Sequence, residues 1–174
     1  MLSNFNDSLA LVLKSEGGFS NLSQDPGGMT NLGVTKAVWE AWVGHPVDEK
    51  VMRSLTPEYV APMYKQKYWQ PCFGDDLPKG LDYAVFDFAV NAGPGRAIKT
   101  LQQAIGCVPD GSIGPRTMGI IHNTDVQKLV ELFSNARIDF YKGLKTFPVF
   151  GNGWIKRVED VKSNVTNMIG NQNV

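Results

Sequence analysis

Two carboxyls and a hydroxyl fall within the twenty residues 16–35, which read E-G-G-F-S-N-L-S-Q-D-P-G-G-M-T-N-L-G-V-T. They are Glu16, Asp25 and Thr30, with eight residues between the first two and four between the last two. A pair of carboxyls flanking a bond is the usual device for hydrolysing a glycosidic linkage. One protonates the leaving oxygen, and the other activates water or stabilises the developing positive charge.

The element that must position Glu16 is an amphipathic helix. Phe5, Leu9, Val12 and Leu13 stand at i, i+4, i+7 and i+8, the spacing of one helical face. Ser3 serves as N-cap. Glu16 lies eleven residues after Phe5, and at about 100° per residue it returns to the apolar face. Asp7 and Lys14 project elsewhere, and Gly17-Gly18 ends the helix. A carboxyl at the edge of an apolar core is the setting of a general acid. The competing reading is a last-turn Glu frayed into solvent.

Asp25-Pro26-Gly27-Gly28 is a turn signal. The short stretches Phe19-Ser20-Asn21 and Leu32-Gly33-Val34 are expected to pair as small strands on either side of it. Taken alone, Asp25 reads as a turn residue, and Thr30 carries no role.

The rest of the chain reads as helical. Thr35 caps a helix to about Val43, and Thr56-Pro57-Glu58 starts another. That second helix carries Tyr59, Met63 and Tyr64 and ends near Trp69, before Pro71. Residues 81–91 are apolar nearly all round, the pattern of a central buried helix. On it, Asp87 and Asn91 share a face, where they either line a groove or cap neighbouring loops. Further helices are expected at 95–105, 115–122, 126–143 and 154–169, the third capped by Asp125. Its stripe of Leu129, Val130, Phe133, Ala136, Arg137, Phe140 and Tyr141 reads as core. Gly151-Asn152-Gly153 is expected to form a turn before the last helix. No Gly/Ser linker interrupts residues 70–95, and there is no internal repeat.

Composition narrows the function class. A chain of 174 residues with 43% hydrophobic content can bury a sizeable core. Lys+Arg and Asp+Glu balance at 17 each, without the basic surplus of a nucleic-acid binder. Cys72 and Cys107 fit no metal spacing, and His45 and His122 stand alone, so a catalytic metal is not expected; hydrolysis by paired carboxyls needs no cofactor. The two cysteines are expected as free thiols. The N-terminus shows no export-signal pattern, and the first helix is too short to span a bilayer.

The 16–35 segment resembles the catalytic motif of glycoside hydrolase family 108, bacterial and phage N-acetylmuramidases. Tyr64, Tyr68 and Trp69 resemble the family's Y-x-x-x-Y-W stretch. The run from Leu81 to Pro94 resembles the start of the peptidoglycan-binding region usually fused to that catalytic part. Leu101-Gln102, Asp110-Gly111-x-x-Gly114-Pro115-x-Thr117, Phe140-Tyr141 and Gly153-Trp154-x-x-Arg157 resemble that region's later motifs, in order. Phage-type lysozymes are a more distant likeness: the Glu–Asp spacing agrees and the Asp–Thr spacing is one residue short. Relatives often carry Asp where this chain has Leu22, which throws the second-carboxylate role onto Asp25.

The resemblance implies a mainly α, compact lysozyme-like fold with a small β-hairpin after the first helix. It implies a catalytic region at 1–70 and a helical peptidoglycan-binding region at 71–174, packed as one unit. The implied activity is that of a lysozyme, cleaving the β-1,4 bond between N-acetylmuramic acid and N-acetylglucosamine as a phage endolysin. Glu16 is then the general acid, Asp25 the second carboxylate and Thr30 a water-holding hydroxyl. Tyr68 and Trp69 are expected as an aromatic sugar platform and Asn91 as a sugar ligand, with peptidoglycan glycan strands as the partner. The protein is expected to be a monomer without stable membrane association, made in the host cytoplasm and acting on the cell wall. The alternatives are a lytic transglycosylase and a non-enzymatic wall-binding module.

Overall fold

The computed structural model describes residues 3–21 and 28–171. Backbone contacts divide the chain into two compact units, Asn6–Gln66 and Met1–Phe5 with Lys67–Val174. The fold is mainly α, with one two-stranded antiparallel hairpin among the described residues.

In the smaller unit, helix α1 (Phe5–Glu16) buries Leu9, Val12 and Leu13, the face that the spacing marks. Gly17 stops it with φ +80°, and its N–H reaches back to the Leu13 carbonyl at 3.3 Å. Strands β1 (Thr30–Asn31) and β2 (Val34–Thr35) follow, paired Thr30 to Thr35 and Asn31 to Val34. Leu32 and Gly33 are therefore the two-residue turn, both at positive φ, as in a type I′ hairpin. The expectation of Leu32-Gly33-Val34 as a strand is corrected: only Val34 is in one, and Ser20 bridges Thr30 instead. The Leu at the first turn position hides this hairpin, because type I′ turns favour Asn, Asp or Gly there.

Thr35 caps α2 (Lys36–Val43), its hydroxyl accepting from the Val38 N–H at 3.2 Å. A short helix α3 (Glu49–Arg53), capped by Asp48, was not expected from the sequence. Thr56 caps α4 (Pro57–Tyr64), with Pro57 in its first turn. The chain then widens into a π-helical turn, Lys65–Trp69.

The larger unit is built around α5 (Leu81–Ala92), whose residues Leu81–Ala89 are all buried. It packs with α6 (Pro94–Ala104), α8 (Val126–Lys142) and α9 (Phe147–Gly170), and α7 (Pro115–His122) lies between α6 and α8 in sequence. Phe5, Trp69 and Phe86 meet edge to face with centroids 5.3–5.8 Å apart. Each such pair contributes about 0.5–1.5 kcal/mol beyond area burial. Phe88 makes a second cluster with Phe133, Phe140 and Tyr141 of α8.

Two carboxyls lie inside this apolar helix. Asp82 accepts from Asn4 Nδ2, the Gly80 N–H and the Tyr83 N–H. Burial nevertheless pushes its carboxyl up to about 6. Asp87, 0% exposed, is held by Arg137 at 2.8 Å and Arg157 at 3.1 Å. Of the stripe on α8 read as core, Leu129, Val130, Phe133, Arg137 and Tyr141 are buried.

The turn expected at Gly151-Asn152-Gly153 does not form; α9 runs through it from Phe147. A Cβ on Gly151 would sit 2.6 Å from the Phe147 ring. That glycine serves close packing inside a helix instead of a bend. Cys72 and Cys107 are free thiols, and burial pushes the Cys72 thiol up to about 12, where it is inert.

Candidate active site

Glu16 is the last residue of α1 and is half-buried. The hairpin turn packs directly onto its side chain. A Cβ on Gly33 would fall 2.9 Å from Glu16 Cβ and Cγ and 2.8 Å from the Tyr64 hydroxyl. Only a residue without a side chain lets the turn come this close, and φ +75° at Gly33 adds the same demand. Tyr64, buried at the end of α4, donates its hydroxyl to the Leu32 carbonyl at 2.7 Å. That bond holds Leu32 at φ 52°, an uncommon value for a branched side chain. Helix end, turn and tyrosine thus fix one another, and the carboxyl is carried on their junction.

Thr30 lies in β1, half-buried, two residues before that turn. Its N–H and C=O each bond Ser20 at 2.8 Å. This bridge ties the backbone after α1 to β1, on either side of the 21–29 segment. Asp25 and Leu22 belong to that segment and lie outside the described residues. Asn31 is buried and donates its amide to the Met52 carbonyl at 2.9 Å, tying the hairpin to α3. Arg53 lies over the Phe19 ring, 4.0 Å from its centroid.

Gly33, Tyr64 and Asn31 are the positioning residues that sequence reasoning did not single out. Gly33 followed by Val-Thr was the available signal, obscured by reading it as strand. Tyr64 was noticed as part of a motif and of the α4 helix, without a role at the turn.

The other expected ligands fall in the larger unit. Trp69 is 1% exposed, enclosed by Phe5 and Phe86, with its indole N–H donated to Asp75 at 2.9 Å. This corrects the sugar-platform expectation for Trp69, since a ring with both faces packed in a core cannot stack on a sugar. Gly74 is pressed against the same indole, where a Cβ would lie 2.3 Å from the ring. Tyr68 is half-buried in the π-helical turn. Asn91 is exposed at the end of α5, its side-chain oxygen accepting from the Tyr141 hydroxyl. Tyr141 in turn accepts from Arg137 Nε at 3.0 Å, so the Asp87 ion cluster reaches Asn91 through one tyrosine. Burial raises the Tyr141 phenol and keeps it a donor. Among the described residues no cluster of three His, Cys, Asp or Glu could hold a metal ion, and no helix is long and apolar enough to cross a membrane.

A helix-end carboxyl clamped by a hairpin turn stands in one unit, and a buried ionic core in the other. Residues 9–93 match the family model described as Glycosyl hydrolase 108, and residues 96–159 match the model described as Predicted Peptidoglycan domain. The solved structure titled "Structure of Brucella abortus SagA" is 38% identical, covers 95% of this chain and 95% of its own, and superposes with a TM-score of 0.82. No curated protein matches. The chain belongs to the glycosyl hydrolase 108 family. Glycoside hydrolysis, with peptidoglycan as the polymer, is the activity these assignments support.

Proposed function

We propose that the protein is an N-acetylmuramidase, cleaving the β-1,4 bond between N-acetylmuramic acid and N-acetylglucosamine. The observation that carries this is the clamped Glu16, half-buried at a helix end inside the family's matched region. Glu16 protonates the leaving glycosidic oxygen as the bond to the anomeric carbon breaks. Asp25 is the second carboxylate, stabilising oxocarbenium-like charge or activating the water that adds to that carbon. Thr30 holds this water. Tyr68 and Asn91 contact the sugar strand. The same proposal makes the protein a monomeric phage endolysin, produced in the host cytoplasm and acting on the wall in the periplasm.

Mass spectrometry of the fragments released from purified sacculi tests the bond and the reaction together. Fragments ending in reducing N-acetylmuramic acid are expected. Reducing N-acetylglucosamine ends would move the cut to the other linkage. A 1,6-anhydro end would make the protein a lytic transglycosylase, because no water has been added.

A further inference from the structure

We infer that the groove between α6 and α8 binds the peptide stem of peptidoglycan, reading it as a zwitterion through Arg96 and Asp139. The inference rests on the wall-polymer reading above and names the part of the polymer that the helical region holds.

The groove has a volume of about 690 Å³. Arg96 and Gln103 reach it from α6, and Asn135, Asp139 and Phe140 from α8, over a floor that includes Ala136. The α8 positions recur at helical spacing, so they form one face. From Leu132 to Gly143 that face runs roughly 16 Å at ~1.5 Å per residue. An extended tetrapeptide spans about 13 Å and fits along it.

Charge selects the peptide over the glycan. Arg96 and Asp139 are both exposed. Arg96 lies over the Phe140 ring, 4.9 Å from its centroid, which leaves the edge of its guanidinium for a carboxylate. Neither side chain has an ion-pair or hydrogen-bond partner among the described residues. One groove therefore offers a cation and an anion that do not neutralise each other. A strand of N-acetylglucosamine can hydrogen-bond to them but carries no charge to form an ion pair with either. A stem peptide supplies free carboxylates for Arg96 and the free amine of its diamino acid for Asp139. The side-chain amides of Gln103 and Asn135, both exposed, can pair with its backbone, as amides do with peptide groups.

The test is an NMR titration of the full chain with a stem tetrapeptide carrying free carboxylates and a free diamino-acid amine. The side-chain amides of Gln103 and Asn135 are the reporters. Saturable shifts at both are expected. Exposed charge contacts are individually weak, so Asp139→Asn or Arg96→Gln should each raise Kd about 2- to 5-fold. Acetylating the peptide's amine should abolish the effect of Asp139→Asn. Absent shifts at millimolar peptide, or the same Kd for wild type and the double variant, would overturn the inference. So would reporter shifts produced by a tetramer of β-1,4-linked N-acetylglucosamine instead of the peptide. Hydrolysis of sacculi by the same preparations is scored separately, so peptide binding can fail while the muramidase reading stands.

Discussion

Glu16 and Asp87 are both carboxyls on helices, and their surroundings are opposite. Asp87 sits mid-helix, wholly buried, with two guanidiniums on its oxygens. Glu16 sits at a helix end, half-buried, with a glycine turn against its stem. Asp87 makes short contacts that anchor α5 to α8 and α9. The Gly33 turn packs on the Cβ and Cγ of Glu16, and part of the residue still faces solvent. Burial by itself does not mark an acid as catalytic. Under the proposed function, the difference that matters is that Glu16 is half-buried at a helix end while Asp87 is enclosed by two guanidiniums.

Breaking each half of this comparison should give a different kind of defect. Asp87→Asn leaves Arg137, 1% exposed, as a buried cation without its carboxylate. It should cost about 3–5 kcal/mol of stability, read by urea or guanidinium unfolding.

Asp82 gives a pH-dependent version of the buried case. Its carboxyl is raised by burial from 3.8 to about 6, so the folded state holds the proton more tightly than the unfolded chain. The stability this contributes is fully present below pH 3.8 and is lost as pH rises through about 6. The loss amounts to roughly 3 kcal/mol, at about 1.4 kcal/mol per pH unit of difference. Asp82→Asn retains an oxygen for the same three donors and should flatten this slope in unfolding curves taken from pH 3 to pH 8. A slope unchanged in the variant would assign it to other groups.

On the catalytic side, Gly33→Ala puts a methyl group 2.8–2.9 Å from Tyr64 and Glu16. Displacing the acid should lower kcat about 10- to 100-fold, with a smaller change in KM. Tyr64→Phe removes the hydroxyl that donates the 2.7 Å bond to the Leu32 carbonyl. It should cost about 0.5–1.5 kcal/mol of stability, with a mild fall in kcat.

Local signals in the sequence were legible because their physics is local. The caps at Thr35 and Thr56, the stop at Gly17 and the all-apolar α5 each depend on a few neighbouring residues, and each stands where the pattern put it. What escaped depends on distant partners. Gly151 looks like a turn residue until the Phe147 ring is placed over it. The Asp87–Arg157 bond spans 70 residues, and no periodicity announces it. Trp69 at a helix end suits a sugar platform until Phe5, Phe86 and Gly74 are found around it. Helix phase put Glu16 at the edge of the apolar face, where it is half-buried, while the turn that clamps it was hidden by Leu32 in a place that favours Asn or Gly.

The central claim is that Glu16 is held for chemistry and not for stability. The most direct measurement is the rate at which Glu16→Gln releases reducing ends from purified sacculi, taken with its melting temperature. A general acid contributes about 10²- to 10⁴-fold, so the rate should fall by that factor while Tm stays near that of the wild type. Wild-type turnover by a well-folded Glu16→Gln protein would contradict the account.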